Sequence, residues 1–136
     1  MNLNEIHDGW VEAHKNFYQA DPKSELKPML AIIRGDEVFV MLGNFVTDGD
    51  KERFINHAKE NIRACKAEAY VFCSETWLGD GREGVMTLVV SSDGERMASI
   101  MEINRSGDGD EVLTPVTTTD HGSVHGRFAE LFDEEV

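Results

Sequence analysis

Six charged or aromatic residues gather in the stretch from Tyr70 to Arg105: Glu75, Trp77, Arg82, Glu83, Glu102 and Arg105. Their types suit binding, since a guanidinium can hold an anionic group through two hydrogen bonds and an indole offers an apolar platform. Converging at one end of a sheet, they would line a groove for a ligand or substrate. A simpler account, which we prefer, is structural: Glu75 pairs with Arg82 or Arg105 from a neighbouring strand while Trp77 finishes and covers the sheet end. Nothing in the stretch marks an activated nucleophile. Ser74, Ser91 and Ser92 lie in no nucleophile elbow, and neither Cys65 nor Cys73 stands beside an evident base. The glycines at 79, 81, 84 and 94 follow hairpin spacing rather than that of a phosphate loop.

The other residues with coordinating chemistry are the histidines, His7, His14, His57, His121 and His125. "DHGSVH" sets Asp120, His121 and His125 close together, but a shared metal needs both imidazoles on one helical face, and His121 precedes the helix expected there. The carboxylates of "GDGDE" lack the loop length of a calcium site ending in a bidentate glutamate. No metal and no cofactor is therefore expected.

Charge is the unusual property of the whole chain. Its 136 residues hold 13 Lys and Arg against 26 Asp and Glu, a formal net charge of -13. Such a surface repels nucleic acid and anionic membrane and favours a partner with a basic surface. The segment from about 106 to 136 is the most acidic, with Asp108, Asp110, Glu111, Asp120, Glu130, Asp133, Glu134 and Glu135 against Arg127 alone. A carboxylate array of this kind can imitate a phosphate backbone and occupy a basic nucleic-acid site on another protein. The two cysteines have neither zinc nor redox spacing and are expected reduced and buried. The first residues lack the basic start and apolar core of a secretory signal, and no apolar run reaches bilayer length, so a cytoplasmic location is the default.

The elements that position these residues can be read from periodicity. Leu3, Ile6, Trp10, Ala13 and Phe17 recur at helical spacing, with Asn2 or Asn4 available as the N-cap, predicting an amphipathic helix over 3 to about 19 that ends at Asp21-Pro22. "PMLAIIRGDEVFVMLGNF" reads as two strands joined at Gly35-Asp36, with Arg34 opposite Glu37. Thr47, Asp48 and Asp50 offer caps for a second helix whose inner face carries Phe54, Ala58, Ile62 and Cys65. Strands follow at about 69–77, 84–92 and 95–104, the last two joined at Asp93-Gly94, with a short extended piece near 112–116. "SVHGRFAELF" reads as a short terminal helix with Val124, Phe128 and Leu131 inward.

Residues 1–136 then form one α+β domain: a largely antiparallel sheet, made of a hairpin and a three-stranded meander, with helices packed on one face. The meander strands are apolar on both alternations, so part of the sheet is expected to be covered twice, by the helices and by a second subunit in a homodimer.

The stretch 71–105 resembles a group of small uncharacterised α+β proteins of phage and plasmid origin. The resemblance rests on Ser74-Glu75-Thr76-Trp77, on Arg82 and Val85, on the Asp93-Gly94 turn, and on Glu102-Ile103-Asn104-Arg105. It implies a mobile-element setting and no activity or site. Together with the charge, it leads us to expect a non-enzymatic accessory factor that binds a basic protein, with inhibition of a host nucleic-acid-binding or defence protein as its sharpest form. The alternative is a ligand-binding or enzymatic domain with its pocket near Glu75, Trp77, Arg82 and Arg105.

Overall fold

A computed structural model describes residues 2–106, 111–119 and 127–132. Within them the order is α1 (Leu3–Ala20), β1 (Met29–Arg34), β2 (Glu37–Leu42), α2 (Asp48–Cys65), β3 (Ala69–Gly79), β4 (Arg82–Ser91), β5 (Arg96–Ile103) and β6 (Leu113–Thr119), followed by a single 3-10 turn at Arg127–Ala129. The strands form one antiparallel sheet in the order β2-β1-β3-β4-β5-β6. The α+β architecture with a hairpin and a meander is as expected, and β6 extends the meander by a strand.

Local chemistry accounts for the boundaries. The Asn2 carboxamide accepts hydrogen bonds from the Asn4 and Glu5 amides and starts α1. Thr47 and Asp50 close a reciprocal capping box at the start of α2. That helix ends where Lys66 turns left-handed at φ 55°, and Arg34 donates to the Cys65 and Lys66 carbonyls there, satisfying acceptors the helix leaves open. Arg34 faces Glu37 across the first hairpin rung as the spacing predicts. Gly79, Asp80 and Gly81 all take positive φ, so the β3–β4 turn sits beyond Trp77. Arg82 and Glu83 are accordingly strand residues of β4 and not loop residues.

Both helices were expected on one face of the sheet; the structure puts them on opposite faces. Ile55, Ala58 and Ile62 of α2 pack with Leu30, Ile32, Tyr70, Phe72, Leu88 and Val90. Leu3, Ile6 and Trp10 of α1 pack with Ala31, Ile33, Val71, Cys73 and Val89, the alternate positions of the same strands. The reason is the double apolar alternation: each face of β1, β3 and β4 has to be removed from water, and one helix can cover only one of them. Topology fits this division. β2 and β3 both run antiparallel to β1 and are therefore parallel to each other, so the chain must return along the sheet between them, and α2 makes that return.

The inner stripe of α1 is rotated from the expected one. Its buried residues are Leu3, His7, His14 and Tyr18, while Ala13 and Phe17 are exposed. Apolar spacing alone missed this because two of the inward positions are histidines, which are satisfied by the sheet beneath. Cys65, expected buried, is exposed at the end of α2, whereas Cys73 is buried as expected. On the α2 face Phe128 stacks on Phe72 with centroids 3.8 Å apart, and the Tyr70 hydroxyl donates to the Phe128 carbonyl while accepting from the Leu131 amide. Phe128 and Leu131 thus point inward as their spacing predicts; Val124 lies outside the described residues.

The left-handed Lys66 yields a prediction. A Cβ in that conformation costs about 1–2 kcal/mol, and glycine removes the cost at the expense of some unfolded-state entropy. Lys66→Gly is expected to raise the unfolding free energy by about 0.5–1 kcal/mol in urea titration; an unchanged or lowered midpoint would show that Lys66 contributes contacts outweighing its strain.

Candidate functional site

The structure divides the six singled-out residues between the two faces of the sheet. Glu75, Trp77 and Glu83 occupy the α1 face, where Arg105, just past β5, reaches the two glutamates; Arg82 and Glu102 occupy the other.

Arg105 is the centre of the first group. Its Nε donates to Glu83 Oε2 at 2.6 Å and one terminal nitrogen donates to Glu75 Oε1 at 3.0 Å. The other terminal nitrogen donates to the carbonyls of Ser24 at 2.6 Å and Pro22 at 3.2 Å, and the guanidinium lies 5.7 Å from the centroid of the Tyr18 ring. The second Glu75 oxygen accepts from the Tyr18 hydroxyl at 2.6 Å and from the Leu26 amide at 2.9 Å. Burial, reinforced by the hydrogen bond and charge of Glu75, pushes the Tyr18 hydroxyl far above its ordinary pKa, so Tyr18 remains a neutral donor. Burial works against the charge of Arg105, but Glu83 and Glu75 more than offset it and hold its pKa above the usual value. One arginine therefore joins the end of α1, the segment leading to β1, and strands β3 and β4. Each of its three nitrogens donates to a protein acceptor, and both glutamates already neutralise its charge, so the group is engaged in the fold rather than open to an anionic ligand. Of the two partners expected for Glu75, Arg105 is the one.

Arg82 pairs with Glu102 through two hydrogen bonds of 3.2 and 2.7 Å on the exposed opposite face. The hydrogen bond from Arg82 holds the Glu102 carboxyl below its ordinary pKa, and Glu102 raises that of Arg82. Trp77 does not seal the sheet end: it stands 68% exposed opposite Glu83, because the strand runs on to Gly79 and, among the described residues, no element crosses over it.

A polar cluster that spacing did not single out lies under α1. His7 Nε2 is 2.5 Å from Ser99 Oγ and its Nδ1 is 3.0 Å from Asp8 Oδ1, while His14 Nδ1 is 3.2 Å from Thr87 Oγ1. Thr87 and Ser99 are directly paired across β4 and β5, so the two histidines, two turns of helix apart, meet neighbouring hydroxyls. Since the Asp8 carboxylate can only accept, His7 Nδ1 carries the proton of that bond, and in the neutral ring Nε2 accepts from Ser99. The atom order serine–histidine–aspartate matches a nucleophile relay. Ser99 is nonetheless buried in mid-strand with β4 and β6 on either side, and a substrate could reach it only by displacing α1. The cluster anchors the helix. His14 Nε2 is buried without a hydrogen-bond partner, and burial, with a smaller push from His7, lowers the His14 pKa to about 4. A signal was present in the sequence: histidines at positions 7 and 14 share a helix face, and threonine and serine interrupt the apolar alternation of β4 and β5.

Among the described residues no three His, Cys, Asp or Glu side chains converge as metal ligands would, and no helix is long and apolar enough to cross a membrane. Of the acidic-segment carboxylates, Glu111 and Glu130 are exposed; Asp108, Asp110, Asp120, Asp133, Glu134 and Glu135 lie outside the described residues, as do His121 and His125. No family model, curated protein or solved structure matches the chain.

One further surface stands out. On β2, Val38, Phe39, Val40 and Leu42 are between 46 and 69% exposed, and Val46 beyond it is 80% exposed. The side chains of Val38, Val40 and Leu42 leave on the α1 face and those of Phe39 and Met41 on the α2 face.

Two predictions follow from the polar contacts. Arg105→Met strands a largely buried Glu75 carboxylate and is expected to lower the unfolding free energy by about 2–3 kcal/mol, whereas Arg82→Met, at a solvated pair, should leave the urea midpoint unchanged; equal effects would refute the hub role of Arg105. The unfolded chain protonates His14 below pH 6.5 and the folded chain only near pH 4, so the stability from a neutral His14 is complete above pH 6.5 and is lost as pH falls towards 4, by about 3 kcal/mol. Urea titrations between pH 7.5 and 4.5 should show a shallower decline for His14→Gln than for the natural chain.

Proposed function

We propose that this protein works by binding other proteins rather than by catalysis, and that β2 is its principal contact surface. The observation that carries this reading is the edge strand Glu37–Leu42, apolar and solvent-exposed on both faces, with one whole row of main-chain groups facing outward. Soluble proteins ordinarily protect such an edge with lysine, proline or a bulge, because it templates pairing with another chain. No charged residue occurs between Val38 and Thr47, in a chain where 29% of residues are charged.

The net charge of -13 supports a partner with a basic surface at the flanks, and the resemblance of residues 71–105 to phage and plasmid proteins adds a mobile-element setting. A factor that occupies a host nucleic-acid-binding or defence protein fits both features. A ligand pocket at Glu75, Trp77, Arg82 and Arg105 is less well supported, because Arg105 is held by Glu75 and Glu83, Arg82 lies on the opposite face with Glu102, and Trp77 stands exposed.

Affinity capture with the tagged full chain, at low and at moderate salt, tests the proposal. A stoichiometric protein is expected on the natural chain and is lost from Val40→Lys, whose circular dichroism should remain unchanged. Failure of the natural chain to retain any stoichiometric protein, another copy of itself included, would sink the reading.

A further inference from the structure

We infer that the occupant of the β2 edge is a second copy of this chain, joined by antiparallel β2–β2 pairing about a twofold axis at Val40. The inference rests on reading that edge as a protein-binding surface, and three observations identify the occupant.

The two edges of the sheet differ. β6 carries Pro115, which has no N–H to donate, and Val116 is an extra residue where the register to β5 shifts between Ile100 and Met101. Proline and a bulge are the usual protections of an edge. β2 has neither, and its register with β1 is unbroken. A sheet with one open edge can extend only once through like edges, which produces a closed dimer and not a filament.

The hydrogen-bond phase of β2 suits pairing with itself. Gly35 and Asp36 form a two-residue turn between Arg34 and Glu37. In such a hairpin the residues flanking the turn exchange hydrogen bonds, so Glu37, Phe39 and Met41 direct their main-chain groups to β1. Val38, Val40 and Leu42 direct theirs outward. With the axis at Val40, Val40 meets Val40 of the second copy, Val38 meets its Leu42, and every outward N–H and C=O in the strand gains a partner. The twofold keeps faces matched: valines and leucines cluster with their counterparts on one side, and Phe39 lies opposite Met41 on the other.

Charge makes this the place where two copies can approach. Each carries -13, so most relative orientations are repulsive. The uncharged run from Val38 to Thr47 brings Glu37 opposite Gly43 of the second copy in this register, and no two carboxylates are set directly across from each other in the paired strands. A basic peptide strand would gain attraction from the rest of the surface but little from β2 itself.

Light scattering or sedimentation equilibrium of the full chain at micromolar concentration tests the inference, together with hydrogen exchange. The expected mass is twice that of one chain, with dimerisation strengthened by added salt as like charges are screened, and with slow exchange at the Val38, Val40 and Leu42 amides. Val40→Lys sets two ammonium groups against each other at the axis and should halve the mass. A natural chain that is monomeric at micromolar concentration, with fast exchange at these three amides, overturns the inference. If the same amides then become protected on adding the protein recovered by affinity capture, edge binding stands and only self-pairing falls; if Val40→Lys leaves that capture intact, the edge reading falls as well.

Discussion

Strands β1, β3 and β4 bear apolar side chains on both faces, and that constraint organises the molecule. Leu30 and Ile32 alternate with Ala31 and Ile33, Tyr70 and Phe72 with Val71 and Cys73, Leu88 and Val90 with Val89, and all are buried. At roughly 25 cal/mol per Å² of apolar surface removed from water, leaving either face open would forfeit a large share of the folding free energy. The chain meets this with a helix on each side: α2 bridges the parallel strands β2 and β3, and α1 crosses β4 and β5 on the other face. Phe128 of the 3-10 turn completes the α2 side by stacking on Phe72.

Covering the α1 face required polar chemistry as well as apolar packing. His7 and His14 descend onto Ser99 and Thr87, which lie side by side on adjacent strands. Their hydrogen bonds offset the cost of burying the polar atoms and fix the rotation of the helix about its own axis. At the other end Arg105 draws Glu75 and Glu83 together and ties the connection after α1 through the carbonyls of Pro22 and Ser24. Arg105, Glu75 and Glu83 are thus engaged in holding the helix to the sheet.

The same arrangement leaves β2 different from every other strand. It is little covered by the helices, since α1 sits over β4 and β5 while α2 contacts chiefly β1 and reaches β2 at Met41, whose sulfur accepts from Asn61 Nδ2 at 3.7 Å. Its side chains remain apolar where an exposed edge would normally carry charge. An acidic chain that keeps its edge strand uncharged from Val38 to Leu42 has a surface at which like copies meet with less repulsion than elsewhere, and the functional reading grows from that contrast.

Element types and most boundaries were legible in the chain because they depend on local chemistry. Asn2 and Thr47 cap helices, Gly35-Asp36 and Asp93-Gly94 turn hairpins, and a double apolar alternation announces strands buried on both sides. The pairing of Glu75 with an arginine could also be anticipated. Which arginine it was, and that Arg82 lay on the other face, depended on register and on a β3–β4 turn beyond Trp77, and a shift of one residue reverses a side chain's face. The rotation of α1 was likewise hidden, because the inward histidines are polar by type and are accommodated only by hydroxyls from strands far along the chain. The division of the helices between two faces and the exposure of β2 were decided by tertiary structure alone. Apolar pattern states that a surface must be covered, and only the packed arrangement of distant segments determines what covers it.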